Sequence, residues 1–256
     1  MNNILITICA RAGSKGVKNK NIRDFLEYPL PFYTMSVIDL FIKSNKDRVS
    51  CIDIAVNTDS SSFLSLINKL SLPIIYVPRK PEMAKDTSSK IDVIKHSYAF
   101  CQEINHKSYD CIIDLDITSP LRTITDINNA LETLANDAKA DLVYSVTSAR
   151  RNPYFNMVMK DGSYYRRVII SDFTARQQAP HLFDMNASIY AYRSTFLDSN
   201  LSFSDGKALI TIMKDTAILD IDSDEDLELM QVIAKDFFLK YPSYNAVKEN
   251  ICCLLK

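Results

Sequence analysis

Ile4-Leu5-Ile6-Thr7-Ile8-Cys9-Ala10-Arg11-Ala12-Gly13-Ser14-Lys15-Gly16-Val17-Lys18-Asn19-Lys20-Asn21 is an apolar run that passes directly into a basic, glycine-bearing loop. Ile4, Leu5 and Ile6 are apolar on both parities, as in a strand covered on both faces. In the loop, Gly13 and Gly16 allow close backbone approach and Ser14 offers a hydroxyl. Arg11, Lys15, Lys18 and Lys20 place four cations within ten residues. A polyphosphate needs this combination: backbone N–H groups in a concave turn and side chains that offset its charge. Neither G-x-x-x-x-G-K-[S/T] nor G-x-G-x-x-G is present, which sets aside a P-loop and a dinucleotide fingerprint. The 256 residues contain only 4 Gly, where ordinary usage is about 7%. Two glycines three apart are therefore a local feature, not background.

Outward from this loop, short apolar runs alternate with helical periodicity. Strands are predicted at Ile4–Ala10, Cys51–Asn57, Pro73–Val77, Cys111–Leu115, Asp141–Val146, Ser188–Tyr192, Leu209–Met213 and Ala217–Ile221. Ile91, Ile94, Tyr98 and Cys101 recur at helical spacing, as do Ile127, Ala130, Leu131 and Leu134. A last helix is capped by Ser223, carries Asp224, Glu225 and Asp226 in its first turn, and presents Leu227, Met230, Ala234 and Phe237. The pattern is that of an α/β fold, a mostly parallel sheet with helices on both faces. Residues 1–256 read as one domain. Residues 148–186 form an excursion rich in Arg, Tyr, Asn and Gln, with Asp161-Gly162 as a hairpin signal. Such an excursion suits a substrate flap or a subunit interface.

Composition narrows the partners. A 47% hydrophobic and 24% charged chain with net charge −1 is globular, and has no global field to recruit nucleic acid or an anionic membrane. The N-terminal apolar run is too short to span a bilayer and lacks a basic leader. The six cysteines (9, 51, 101, 111, 252 and 253) show no metal spacing. They read as structural thiols of a cytoplasmic protein. His96 and His106 read as helix-surface and turn residues, while His181 lies between two polar blocks where it could touch substrate.

Two acidic pairs bear on metal chemistry. Asp220-x-Asp222 is either an acidic turn before the helix or a pair of hard oxygen ligands for a divalent cation. Asp114-x-Asp116 at a strand end also fits a metal-dependent glycosyltransferase using a nucleotide-sugar donor. The basic loop argues against that alternative, because a triphosphate requires it more than a diphosphate does.

The stretch Ile8–Gly16 with Lys20-Asn21 closely resembles the signature loop of the acylneuraminate cytidylyltransferases, which make CMP-activated nonulosonic acids. Further blocks follow in order. Arg79-Lys80-Pro81-Glu82-Met83-Ala84-Lys85-Asp86-Thr87-Ser88-Ser89 is similar to R-P-x-E-L-A-x-D-x-x-S, and Thr118-Ser119-Pro120-Leu121-Arg122 matches T-S-P-L-R. Arg176-Gln177-Gln178-Ala179-Pro180 and Asn186-Ala187-Ser188-Ile189-Tyr190 are similar to R-Q-x-x-P and N-G-A-I-Y, and Asp220-Ile221-Asp222 resembles the family's D-x-D. The resemblance implies a Rossmann-like nucleotidyltransferase fold, a homodimer built by the hairpin excursion, and Mg²⁺-dependent attack of an acidic sugar on CTP. It implies catalytic roles for Arg11, Lys20, Asp220 and Asp222. Nucleotide binding would fall to Ala10, Arg11, Gly13, Ser14, Lys15, Lys20, Asn21, Arg79, Ser88 and Ser89. Substrate binding would fall to Asp116, Ser119, Arg122, Arg176, Gln177, Asn186 and Tyr190. Asp220 and Asp222 would hold the metal, with Asp116 as a further candidate. A degenerate, non-catalytic nucleotide binder would have lost the loop cations or the metal acids, and both are present.

Three departures stand out. Asp116 replaces the family's Gln, Lys90 stands where a further Ser is usual, and Ala187 replaces a Gly. With Arg151-Asn152-Pro153-Tyr154-Phe155-Asn156 they resemble the branch that activates legionaminic-type acids. Sialic, pseudaminic and 2-keto-3-deoxy-octonic (KDO) acids are the alternatives.

Overall fold

β1 (Asn3–Ala10) forms where the apolar run predicts and sends its side chains alternately to two cores. Ile4, Ile6 and Ile8 join one cluster of buried residues and Leu5 joins the other, so both faces of the strand are covered. The computed structural model describes residues 1–13, 17–85, 87–215 and 220–256. In chain order there follow β2 (Asp24–Phe25), β3 (Tyr28–Pro29), α1 (Leu30–Asn45), β4 (Cys51–Thr58), α2 (Ser61–Ile67), β5 (Ile74–Pro78), α3 (Lys90–Asn105), β6 (Cys111–Leu115) and α4 (Ile124–Asn136). Then come β7 (Leu142–Ser148), β8 (Val158–Asp161), β9 (Tyr164–Arg167), β10 (Phe183–Arg193), α5 (Ser194–Leu197), β11 (Ala208–Ile212), α6 (Asp224–Lys240) and α7 (Pro242–Leu254).

The main sheet has seven strands in the order β11-β7-β10-β6-β1-β4-β5. β10 runs antiparallel to both β6 and β7, and every other pairing is parallel. The mostly parallel α/β architecture is thus as the alternation predicts. From β1 the chain builds outward through β4 and β5, then crosses to β6 on the other side. That reversal leaves a crevice at the carboxyl ends of β1 and β6, where open α/β sheets bind ligands.

Differences from the sequence reading are local. Of the strand predicted at Ala217–Ile221, residues 217–219 lie outside the described residues, and Asp220 and Ile221 belong to no strand. α6 is not the last helix, because Pro242 at the first position starts α7 after Tyr241. α7 packs on α1, with Ser36 Oγ donating to the Val247 carbonyl at 2.5 Å. In the excursion β8 and β9 pair as a hairpin in which Asp161 faces Tyr164. Gly162 leads its two-residue turn with φ 63°, a conformation glycine adopts without steric penalty. Gly206 is structural: a Cβ there would stand 2.5 Å from Leu142 Cδ2.

The Gly-to-Ala departure has a visible cost. Ala187 lies in left-handed backbone, φ 52°, where the β10–β7 register shifts between Met185 and Tyr190. An L-residue there is strained by about 1 kcal/mol. Ala187→Gly is therefore expected to raise Tm by about 2 °C; an unchanged or lowered Tm in a thermal melt would contradict this.

Candidate active site

The crevice deepens into a cavity of about 350 Å³, within the size range of small-ligand sites. It brings together Arg11, Lys20, Asn21, Arg79, Ser88, Asp116, Asp220 and Asp222 from four separate blocks of the sequence. Each is placed by identifiable local structure. Where β1 ends, the Ala12 N–H donates to Asp59 Oδ1 at 2.7 Å, and Asn21 Nδ2 donates to the Arg11 carbonyl at 3.1 Å. Asn19, left-handed at φ 58°, turns the chain into a single 3-10 turn headed by Lys20. Ser14, Lys15 and Gly16 lie outside the described residues; Ala10 is buried as the last residue of β1, and Gly13 faces a neighbouring groove beside Asn21 and Asp59.

Arg79, just past β5, donates through Nε to Asn57 Oδ1 at 2.9 Å. Asn57 is fully buried, and its amide donates to Ser97 Oγ at 3.0 Å and meets His96 Nδ1 at 3.2 Å. This support for Arg79 escaped the sequence reading, because Asn57 sits inside an apolar strand with no motif around it. Ser88 faces the cavity while its hydroxyl donates to the Glu82 carbonyl at 2.9 Å. Ser89 precedes α3 and faces a second, aromatic cavity of about 260 Å³ beside Tyr190, Tyr192 and Phe203.

The acidic wall is built by the entry to α6. Ser223 and Asp226 form a reciprocal capping box, and the Ile221 N–H donates to the Thr118 carbonyl at 3.2 Å, tying the Asp220–Asp222 segment to the loop after β6. Asp222 pairs with Lys20 at 2.9 Å. Asp220 has a buried Oδ1 with no hydrogen-bond partner. Burial, together with the nearby Asp116 and Asp222 charges, raises the Asp220 carboxyl above its ordinary range. An orphaned buried carboxylate oxygen beside a second carboxylate suits a hard divalent cation, whose remaining positions substrate phosphates and water can fill. Among the described residues no group of three or more His, Cys, Asp or Glu side chains surrounds one point. A divalent ion placed there would take two carboxylates from the protein and leave positions open to substrate.

Asp116 is held differently. Its Oδ2 receives Lys90 Nζ at 2.7 Å, and its Oδ1 receives the Thr118 hydroxyl at 3.1 Å. Burial alone would raise its carboxyl, but the Lys90 ammonium outweighs that and holds it down at about 2. Lys90 also pairs with the fully buried Asp114 at 2.9 Å. Asp114 and Asp116 therefore do not offer the open carboxylate pair that the glycosyltransferase alternative needs.

Three residues expected at the substrate lie inside the protein instead. Arg122 has no exposed surface and donates to the carbonyls of Ser119 (2.7 Å), Ser188 (2.9 Å) and Asp116. Ser119 is buried with its hydroxyl on the Asn186 carbonyl at 3.2 Å, and buried Asn186 accepts from Ser145 Oγ at 2.5 Å. Together they brace the loop after β6 against β10, and none lines either cavity. Tyr190 lines the aromatic cavity, with Lys90 Nζ 5.2 Å from its ring centre. Arg176 and Gln177 are exposed on a 3-10 turn of the excursion, outside the cavity, with Arg176 Nη2 donating to the Arg150 carbonyl at 3.2 Å. His181 lies tilted against Phe183 on the same segment, 4.7 Å between ring centres.

A crevice at a strand-order reversal, lined by cations and carboxylates together, defines a nucleotide-binding α/β protein. Residues 5–235 match the cytidylyltransferase family, and the chain belongs to it. It is an enzyme of that class. The chain is 35% identical over 237 residues to the post-translational flagellin modification protein B of Campylobacter coli, covering 92% of this chain and 97% of that one. It is 33% identical over 233 residues to the CMP-N,N'-diacetyllegionaminic acid synthase of Campylobacter jejuni, covering 91% and 95%. A solved CMP:2-keto-3-deoxy-manno-octonic acid synthetase complexed with CTP shares the fold, with a TM-score of 0.62 at 15% identity and coverage of 92% and 99%.

Proposed function

We propose that this chain transfers CMP from CTP to an acidic nine-carbon 2-keto sugar of the legionaminic type, with Mg²⁺, and releases pyrophosphate. The observation that carries the reading is the single cavity joining Arg11, Lys20 and Arg79 to Asp220 and Asp222. The 33% identity to a CMP-N,N'-diacetyllegionaminic acid synthase supports the choice of sugar.

In this reading Arg11, Lys20 and Arg79 bind the triphosphate, joined by Ser14 and Lys15 of the loop, and Asn21 and Ser88 line the nucleotide side. Asp220 and Asp222 hold the divalent ion, which when bound neutralises and aligns the phosphates. The sugar's anomeric hydroxyl oxygen forms a bond to the α-phosphorus and gives up its proton to water, as the bond to the bridging oxygen breaks and pyrophosphate leaves with that electron pair. In-line displacement at phosphorus requires positioning and charge compensation more than covalent chemistry, which suits a cavity lined mainly by cations and carboxylates. Asp116 and Tyr190 border the sugar end, and Arg176 offers a bidentate guanidinium for the sugar carboxylate.

The hairpin supports a homodimer. Val158, Tyr164 and Tyr165 expose 63%, 81% and 71% of their surfaces, with Val158 and Tyr165 on one face of the hairpin and Tyr164 on the other, and exposed apolar surface of this kind suits protein–protein contact. Purified protein with CTP and Mg²⁺ is expected to release pyrophosphate fastest, by kcat/KM, with N,N'-diacetyllegionaminic acid, and to scatter light as two copies. A clear preference for N-acetylneuraminic or pseudaminic acid overturns the sugar assignment; a monomer overturns the dimer. No helix among the described residues is long and apolar enough to cross a membrane.

A further inference from the structure

Two of the departures noted in the sequence, Lys90 and Asp116, are a single structural unit. Lys90 is the first residue of α3, and its side chain reaches the carboxyl end of β6. There Nζ stands 2.9 Å from Asp114 Oδ2 and 2.7 Å from Asp116 Oδ2. Asp114 is fully buried, and its other oxygen accepts from Thr7 Oγ1 at 2.8 Å. One ammonium thus serves two carboxylates at the seam between the cavity of Arg11 and Asp222 and the aromatic cavity of Tyr190, both of which Lys90 lines.

We infer that Lys90 is a positioning residue that acts as a fixed, half-buried cation: it claims Asp114 and Asp116, so that these carboxylates do not compete with Asp220 and Asp222 for the divalent ion. The inference rests on the two-carboxylate metal site proposed above. The point occupied by Nζ lies near hydrogen-bond distance from oxygens of two carboxylates, one of them without solvent. Without the ammonium, two negative charges face each other in low dielectric. A contraction of about 0.5 Å would bring their oxygens to divalent-ion distances. The lysine therefore occupies what would otherwise be a second cation site, and it fixes Asp116 as an already compensated acceptor at the sugar end. This also explains how a carboxylate is tolerated where the family pattern has a neutral Gln.

The test is Mn²⁺ binding to the full chain without nucleotide or sugar, followed by the EPR signal of free Mn²⁺. Lys90→Gln is expected to bind Mn²⁺ about tenfold more tightly than the parent, since affinity follows the number of charged ligands. Lys90→Arg is expected to behave as the parent, and Lys90→Gln/Asp116→Asn to lose the gain. Unchanged binding in Lys90→Gln, or a gain that survives in the double variant, overturns the inference. If Lys90→Gln is unfolded in chelator, recovery of its circular dichroism by Mn²⁺ supports the inference, and failure to recover overturns it. Because neither CTP nor sugar is present, a substrate panel without turnover and a missing Mn²⁺ gain are separate failures.

Discussion

Asp222→Ala is expected to lower kcat by about 10³ while Tm stays within about 2 °C of the parent. The two halves of the expectation have different causes. The Asp222 side chain is 75% exposed and its ion-pair partner is Lys20 at 2.9 Å. An exposed pair of that kind contributes about 0–1 kcal/mol. The entry to α6 does not depend on the Asp222 carboxylate, because the capping box uses Ser223 and Asp226. Catalysis does depend on it in the proposed site: with one of two carboxylates gone, the phosphates lose their counter-ion and their alignment. Steady-state pyrophosphate release over a Mg²⁺ titration and a thermal melt of the same preparation measure both halves. Near-normal turnover would remove Asp222 from the metal site, and a large fall in Tm would make it a structural residue.

Arg122→Ala is expected to do the opposite, lowering stability by about 4 kcal/mol and Tm by about 10 °C. Its guanidinium is wholly buried and donates to carbonyls of Asp116, Ser119 and Ser188. Truncation leaves the Ser119 carbonyl without a donor, leaves the Ser188 and Asp116 carbonyls with only the Asp116 N–H and the Thr34 hydroxyl, and opens a void the size of the side chain. Arg122→Lys is expected to recover little, since one ammonium cannot reproduce a planar fork spanning three carbonyls. Urea denaturation checks this through the midpoint at constant slope. Unchanged stability combined with a raised KM for the sugar would return Arg122 to the substrate, where the T-S-P-L-R resemblance puts it.

The Arg122 case illustrates how far motifs carry. A motif such as Thr118–Arg122 identifies residues that occur together but not the direction in which each side chain points. In Ser119, Arg122 and Asn186 that direction is inward, set by the loop after β6 lying against the irregular part of β10. Secondary structure had its own blind spots. α1 is buried at twelve positions, including Pro31, Tyr33, Met35, Val37 and Phe41, so it has no polar face to give a readable stripe. α7, by contrast, carried a usable signal in Pro242 followed by Tyr244, Val247, Ile251 and Leu254 at helical spacing.

What the sequence determined alone was the strand at Ile4–Ala10, the mostly parallel α/β class, the hairpin at Asp161-Gly162 and the capped helix after Asp222. All of these follow from interactions within a few residues: side-chain alternation, turn geometry and a cap reaching three positions along the chain. Only the tertiary structure decided that Lys90 and Asp116, 26 positions apart, meet at 2.7 Å, that Asn57 supports Arg79, and that Asp220 keeps a buried oxygen unpartnered. Those depend on how β1, β6 and α3 pack at the sheet's carboxyl edge. Burial then sets the strength of each charge–charge contact, which residue order cannot specify.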